Sequence, residues 1–279
     1  MQRIMLKHRK IISASRRCDL VAFYPEYFID ALNRFPVDEI HSIVLWTKDP
    51  TNILANDSLR RKLLSFSNTY LLLSITGLGA TLVEPLVPEP KRVFQMIRPL
   101  EDFLGGPEHI ALRFDPLIHI VKPESDEDVS NIRRNMALWI MDEMARFRIR
   151  RLIISVAEIY SKSAARMRKM GLAVAPQFQL EAEHLITETL IPEALQKDIV
   201  LECCASPNLT SRGCINSAIL QDIHPRHYPA STAKDSAQRE YCNCSKSIDI
   251  GKWFSCPHGC AYCYGNPLSN ASGPDMNGG

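Results

Sequence analysis

Six short apolar runs, separated by longer stretches of helical spacing, constrain this chain more than any other feature. They are "KIISAS" (10–15), "IHSIVLWT" (40–47), "TYLLLSIT" (69–76), "HIALRF" (109–114), "RLIISVA" (151–157) and "DIVLECC" (198–204). Runs this short and this apolar suit strands buried on both faces of a parallel sheet. The intervals read as helices over 22–35, 90–106 and 180–197, the second stopped by glycine and the third bent at Pro192. The clearest is 125–148. There Val129, Ile132, Met136, Trp139, Ile140, Met144 and Phe147 form a stripe broken at Glu143, and Ser125, Asp126 and Asp128 resemble an acidic N-terminal cap. Six β–α alternations joined by right-handed crossovers predict an α/β fold. We expect a six-stranded parallel (β/α)6 partial barrel, TIM-barrel-like, with a doubly wound sheet as the alternative.

The alternation stops after residue 204. Beyond it Ser, Pro, Asn, Gly and Cys dominate, and little regular structure is expected. Eight of the nine cysteines lie after residue 200: Cys203, Cys204, Cys214, Cys242, Cys244, Cys256, Cys260 and Cys263. The expected organisation is a barrel domain over 1–204, a cysteine-rich iron–sulfur segment packed on it over 205–268, and a disordered tail over 269–279. The formal charge of +2 gives no sign of nucleic-acid binding. No run approaches the roughly 18 apolar residues that span a bilayer, and the basic N-terminus lacks a signal-peptide core. The reading is a soluble, cytoplasmic protein with no membrane partner, in a compartment where thiols stay reduced and cysteine clusters bind metals.

"CPHGCAYC" (256–263) spaces three thiols as C-x3-C-x2-C. Three ligands are compatible with this. Structural zinc would need Cys242 or Cys244 as a fourth donor, although zinc sites usually pair ligands as C-x2-4-C twice. A redox pair at Cys260 and Cys263 leaves Cys256 unexplained. A [4Fe–4S] cluster held by three thiolates keeps one iron open for a substrate or cofactor. Gly259 would let the loop turn tightly. His258 is either a donor to the cluster sulfurs or an exposed loop residue.

This triplet, with an aromatic residue before its last cysteine, resembles the cluster motif of the radical S-adenosylmethionine (SAM) superfamily. "CAYCY" is similar to the tyrosine-flanked form in spore photoproduct lyase-like members. The whole chain resembles the DUF1848 family, through "ISASRRCDLVAFY" (12–24), "IVLWTKDP" (43–50), "LRFDPLI" (112–118), "LECCA" (201–205), "QREYCNCSKSIDIG" (238–251) and "CPHGCAYCYGN" (256–266). That family brings no established reaction. The radical SAM resemblance implies a [4Fe–4S] cluster on Cys256, Cys260 and Cys263, with SAM at the open iron and Tyr262 against its adenine. It also implies an electron donor such as ferredoxin or flavodoxin. The reduced cluster would cleave SAM to methionine and a 5′-deoxyadenosyl radical that takes hydrogen from an unknown substrate. Two departures stand out. The superfamily's triplet follows the first strand, whereas here it follows the sixth run. The glycine-rich motif that holds the SAM amino group after the second strand is replaced by "WTKDP".

Ligand sites in parallel α/β folds gather at the C-terminal ends of the strands. Those ends carry Arg16, Arg17, Lys48, Arg113 and Asp115 as candidate catalytic groups for an anionic substrate, and Ser15 and Trp46 as candidate cofactor contacts. Alternatively these cations close the rim through Asp19, Asp49, Asp115 and Glu202. Cys203, Cys204, Cys214, Cys242 and Cys244 are candidates for a second iron–sulfur cluster, for completing the first, or for burial as small hydrophobes. Cys18, where the family resemblance implies threonine, is read as incidental. The functional reading is a radical SAM-like enzyme. Its rivals are a zinc-stabilised module gripping nucleic acid or phosphate, and an electron-transfer protein without SAM.

Overall fold

The computed structural model describes residues 9–125, 127–206, 209 and 211–268; the expected tail over 269–279 lies outside them. All six apolar runs form strands. They are β1 (Lys10–Ala14), β2 (Ile40–Thr47), β3 (Thr69–Ser74), β4 (Ile110–Leu117), β7 (Arg151–Val156) and β9 (Val200–Cys203). Between β4 and β9 lie three further strands, β5 (His119–Lys122), β6 (Glu127–Ser130) and β8 (Ala173–Val174), and near the end β10 (Ile248–Asp249). The main sheet is parallel, seven-stranded, and ordered β10-β1-β2-β3-β4-β7-β9. This corrects the expected six strands, and no pairing among the described residues closes the sheet into a barrel. The seventh strand escapes the sequence because two residues carry no periodicity.

From β1 to β9 the strands lie side by side in chain order. Right-handed crossovers without a reversal of order put every connecting helix on the same face, so the fold is not doubly wound. Strand alternation then divides the core. Ile12, Ile43, Leu45, Leu71, Leu112, Ile154 and Cys203 face the helices. Ile11, Val44, Trp46, Tyr70, Leu72, Ala111 and Ile153 face the other way, against Cys214, Ile215, Leu220, Cys242 and Cys244. The C-terminal segment thus covers the face that the helices leave bare.

Local sequence explains most helix boundaries. The stretch 22–35 splits at Tyr24 into Leu20–Phe23 and Pro25–Asn33, because Pro25 has no N–H to continue the first helix. The 90–106 helix ends at Gly105 in the left-handed conformation. The helix expected over 180–197 begins at Phe178, widens into a π turn at Ile186–Leu190, and resumes at Ile191 next to Pro192. The helix expected over 125–148 is a correction. Its first residues pair as β6, antiparallel to β5, with His119 opposite Ser130, and the helix begins only at Arg134. His119 Nε2 lies 2.9 Å from Asp128, which takes up one of the acidic side chains that resembled a cap, and its Nδ1 lies 2.7 Å from Glu181. Among the described residues, no helix is long and apolar enough to cross a membrane.

Candidate metal centres

Strand β10 lies parallel to β1, with Ile12 opposite Ile248 and Ser13 opposite Asp249. Gly251 then passes so close to Ser15 that a Cβ there would sit 1.9 Å from its hydroxyl oxygen. The chain reaches the triplet past Phe254, which stacks on Tyr24 with ring centres 4.6 Å apart. The loop closes on itself: Cys256 N–H donates to the Asn266 carbonyl at 2.6 Å, and Leu268 N–H to the Cys256 carbonyl at 2.9 Å. Gly259 has φ +68°, the left-handed turn that its lack of a side chain permits. Arg166 ties the loop to the helix Ser161–Lys169, donating to the Ala261 and Cys263 carbonyls at 3.1 and 2.6 Å.

Cys256, Cys260 and Cys263 sit within electrostatic range of one another, yet no sulfur–sulfur hydrogen bond links any two of them. Burial pushes the Cys260 and Cys263 thiols up. Cys256 falls to about 7, chiefly through a hydrogen bond with Cys18. Cys18 is therefore no bystander: it is buried against Cys256. His258 is buried too, with Nε2 2.9 Å from Asp19 Oδ2 and Nδ1 3.2 Å from the Leu86 carbonyl. It is a loop anchor rather than an exposed residue. Burial opposes its charge, but Asp19 more than compensates, and its pKa rises.

Lys48 lies at this site. Its Nζ donates to Glu84 at 2.8 Å and to the Tyr262 hydroxyl at 3.1 Å, and Tyr262 also donates to Glu84. Thr76 donates to the second Glu84 oxygen at 2.6 Å. Burial penalises both charges of the Lys48–Glu84 pair, but their attraction wins, raising Lys48 and lowering Glu84. Sequence reasoning missed Glu84, which sits in an irregular loop with no periodicity around it.

The other thiols form a tighter group. Cys204 Sγ and Cys214 Sγ are 3.7 Å apart. Cys242 and Cys244 share one buried cluster with Cys214, with Cys204 packed against it, and side-chain interactions couple Cys204 to Cys242, Cys242 to Cys244 and Cys244 to Cys214. The four sulfurs close a ring. Gly213, at φ +88°, makes this possible: a Cβ there would lie 2.4 Å from the Asn243 backbone. Cys203 points away into the helical core and is not part of the ring.

Of the remaining rim groups, Arg16 and Arg113 lie within electrostatic range of the ring thiols. Arg16 and Arg113 bracket Trp46, with guanidinium carbons 5.1 and 4.8 Å from its ring centre. Trp46 Nε1 donates to Ser13 at 3.0 Å. Arg113 pairs with Asp115, which also accepts from Ser155. Arg16 N–H donates to Asp249 at 3.0 Å. Burial opposes its charge, but the proximity of Cys244 raises its pKa overall. Arg17 bonds the Gly251 carbonyl at 2.7 Å, and its N–H the Ser15 hydroxyl at 3.0 Å. The Tyr264 hydroxyl, donating to the Arg16 carbonyl at 2.7 Å, joins the triplet loop to this group. All of it lies at the C-terminal edge of the sheet. Among the described residues, no group of three or more His, Cys, Asp and Glu side chains already stands in metal-holding geometry.

The family model for DUF1848, a domain of unknown function, matches residues 11–265. Among solved structures, Streptococcus suis SuiB matches at a TM-score of 0.34 and 12% identity, over 70% of this chain and 48% of that one. SuiB bound to S-adenosylmethionine matches at 0.34 and 14%, over 69% and 46%. The chain spans about half the length of these structures, and at that score the likeness carries no functional argument. A search of curated proteins found no match.

Proposed function

The chain belongs to the DUF1848 family, and from the placement of its C-terminal thiols we propose an iron–sulfur protein with radical SAM-like chemistry. The observation that carries this is the position of β10. It is last among the strands in the chain but lies outside β1 in the sheet. The triplet therefore follows the strand that is first in space, which is the superfamily arrangement that chain order seemed to deny. By the same ordering, β1 takes second place. The loop Ser15–Arg17, rather than "WTKDP", then stands where the SAM amino group would be held.

The residues fit a cluster with an open iron. Three buried or half-buried thiols share one loop, and they are spaced widely enough that none hydrogen-bonds another. Gly265 N–H points at Cys263 Sγ at 3.3 Å, a contact of the kind that tunes a cluster. Bound there, the cluster would supply one electron for reductive cleavage of SAM. The chain's own residues do the rest. Lys48 places a cation beside Cys260 and Cys263, offsetting thiolate charge. Glu84 fixes the Tyr262 hydroxyl and with it the ring orientation. Phe254, next to the loop in the chain, packs on Tyr24 and Tyr27. Arg113, Asp115 and Trp46 form a polar wall for an anionic substrate at the same edge.

The test is anaerobic reconstitution with iron and sulfide. The expected result is about four iron and four sulfide at the triplet, lost in a Cys256→Ala/Cys260→Ala/Cys263→Ala variant, and 5′-deoxyadenosine on adding dithionite and SAM. A triplet that takes no iron under strict anaerobiosis overturns the proposal. The Cys18–Cys256 contact favours a second reading, an electron-transfer protein in which Cys18 is a fourth ligand. An EPR spectrum unchanged by SAM in the wild type but altered by it in Cys18→Ser would support that reading.

A further inference from the structure

We infer that Cys204, Cys214, Cys242 and Cys244 form a separate mononuclear tetrathiolate site for a soft divalent cation of the zinc class, which staples the C-terminal segment to the end of β9. The expectation of a second iron–sulfur cluster gives way to this on geometry. In a tetrahedral zinc site with Zn–S of about 2.3 Å, the ligand sulfurs lie about 3.8 Å apart. Cys204 and Cys214 stand at 3.7 Å, and Cys242 and Cys244 pack in the same buried cluster, each coupled to its neighbours in the ring. In a four-iron cluster each thiolate binds its own iron, so the ligand sulfurs cannot touch. The triplet is spaced in that way and the ring is not.

Three further features point to the same ligand. The ring has four protein donors and so leaves no open position, the mark of a structural site. Cys214, Cys242 and Cys244 are each no more than 6% exposed, packed against Val44, Tyr70, Leu72 and Ile153. The surroundings are cationic. Arg239 Nη2 lies 3.8 Å from Cys204 Sγ, and Arg16 Nη2 is buried with no hydrogen-bond partner beside Cys244. Four thiolates on one divalent ion carry two net negative charges, which these guanidinium groups offset. Loading displaces four thiol protons to solvent for each cation taken up.

The site joins the residue after β9 to the two loops that precede β10. Its occupancy would therefore hold β10, and hence the triplet, at the edge of the sheet.

The test separates this site from the triplet. The Cys256→Ala/Cys260→Ala/Cys263→Ala variant, expressed with zinc in the medium, should retain one zinc per chain by elemental analysis, with four sulfur neighbours by zinc X-ray absorption. Replacing the zinc by Co²⁺ should give the visible d–d bands of a tetrahedral thiolate site. Cys214→Ser/Cys244→Ser should lose the zinc. Should that variant fail to fold, chelator titration of the triplet variant must still lower its melting temperature, and zinc must restore it. Iron and sulfide in place of zinc after anaerobic reconstitution of the triplet variant would overturn the inference. So would a metal-free Cys204–Cys214 disulfide, or a melting temperature indifferent to zinc. None of these outcomes depends on whether the triplet binds iron.

Discussion

Two groups of cysteines share the C-terminal third of this chain and differ in almost every physical respect. The triplet sits on one continuous loop, spaced apart, with aromatic residues around it and Lys48 alongside. The ring is gathered from three separate pieces of chain, packed sulfur to sulfur against the sheet. Local spacing built the first, so its residues could be read from eight consecutive letters. Long-range packing built the second, and there the sequence shows only an excess of cysteine. A loop of spaced thiols leaves room for a polynuclear centre with an open face. A closed ring leaves room for one ion and no substrate.

The strongest way to break this comparison is through Arg151. It pairs with Glu202 at 2.6 Å and donates to the Gly213 and Cys214 carbonyls at 2.6 and 3.0 Å. Both charges are nearly buried, so Arg151→Met leaves Glu202 with only the half-exposed Arg212. Breaking a buried pair this way costs about 3–5 kcal/mol. Denaturant unfolding should show that loss, and zinc should leave the ring at lower chelator concentration. Iron content at the triplet should hold. Equal loss of both metals would mean that the two groups are one unit.

The two close backbone approaches give a matched pair of smaller effects. Gly213→Ala forces a Cβ to 2.4 Å from the Asn243 backbone at a positive φ, and Gly251→Ala forces one to 1.9 Å from Ser15 Oγ. Positive-φ strain alone costs roughly 1–3 kcal/mol, and the Asn243 clash adds to it. Gly251 lacks the positive φ, but the Ser15 Cβ at 2.4 Å stays in the way even when its hydroxyl rotates. We expect Gly213→Ala to weaken zinc retention, and Gly251→Ala to weaken iron retention with the ring intact. Metal analysis of both variants checks the pairing.

A kinetic contrast is smaller again. Lys48 serves the triplet, whereas Arg113 stands by Trp46 and the ring. If both cations grip one anionic substrate, Lys48→Ala and Arg113→Ala should each lose a charge-assisted hydrogen bond of about 1.5–3 kcal/mol, a roughly ten- to hundredfold fall in turnover. Iron content should be unchanged in Arg113→Ala. A fall in iron with Lys48→Ala alone would make Lys48 a positioning residue for the cluster loop.

How much of this was legible in the sequence follows from the range of the forces involved. Strands β1, β2, β3, β4, β7 and β9 were read because burial on both faces makes a strand apolar throughout. β10 was not, because "ID" is held by its neighbour β1 rather than by its own pattern. The hairpin of β5 and β6 was mistaken for a helix start because acidic residues near a turn look like a cap. The choice between Cys203 and Cys204 was open in the sequence, yet strand alternation decides it. Cys203 shares a face with Leu201 and the helical core, and Cys204 follows the parity of Glu202, whose partner Arg151 holds the Cys214 loop. Cys18 was discounted because the family resemblance implies threonine there, and only folding brings it to Cys256.

The last contrast concerns acid, and it tests whether the cover over the ring loosens before the triplet does. His224 follows the covering helix Ser217–Asp222 and is fully buried beside His41 and Tyr228, at ring distances of 4.8 and 5.1 Å. Arg226 N–H donates to its Nδ1 at 3.1 Å, and its Nε2 has no partner. Burial, with His41, Arg9, Arg226 and His227 nearby, lowers its pKa to about 4. The unfolded chain takes up this proton near the ordinary histidine value of about 6.5, and the folded chain only near 4. His224 therefore contributes its full share to stability above about pH 6.5 and loses it progressively as the pH falls toward 4. His41, lowered by burial in the same cluster, adds in the same direction. Thermal melts from pH 7 to pH 4 should show a shallower decline for His224→Asn than for the wild type. Acid release of zinc from the thiolates is common to both proteins, so the difference between the two slopes isolates the histidine. Parallel slopes would mean that His224 titrates alike in the folded and unfolded chain, and that the cover over the ring is no more acid-sensitive than the triplet loop.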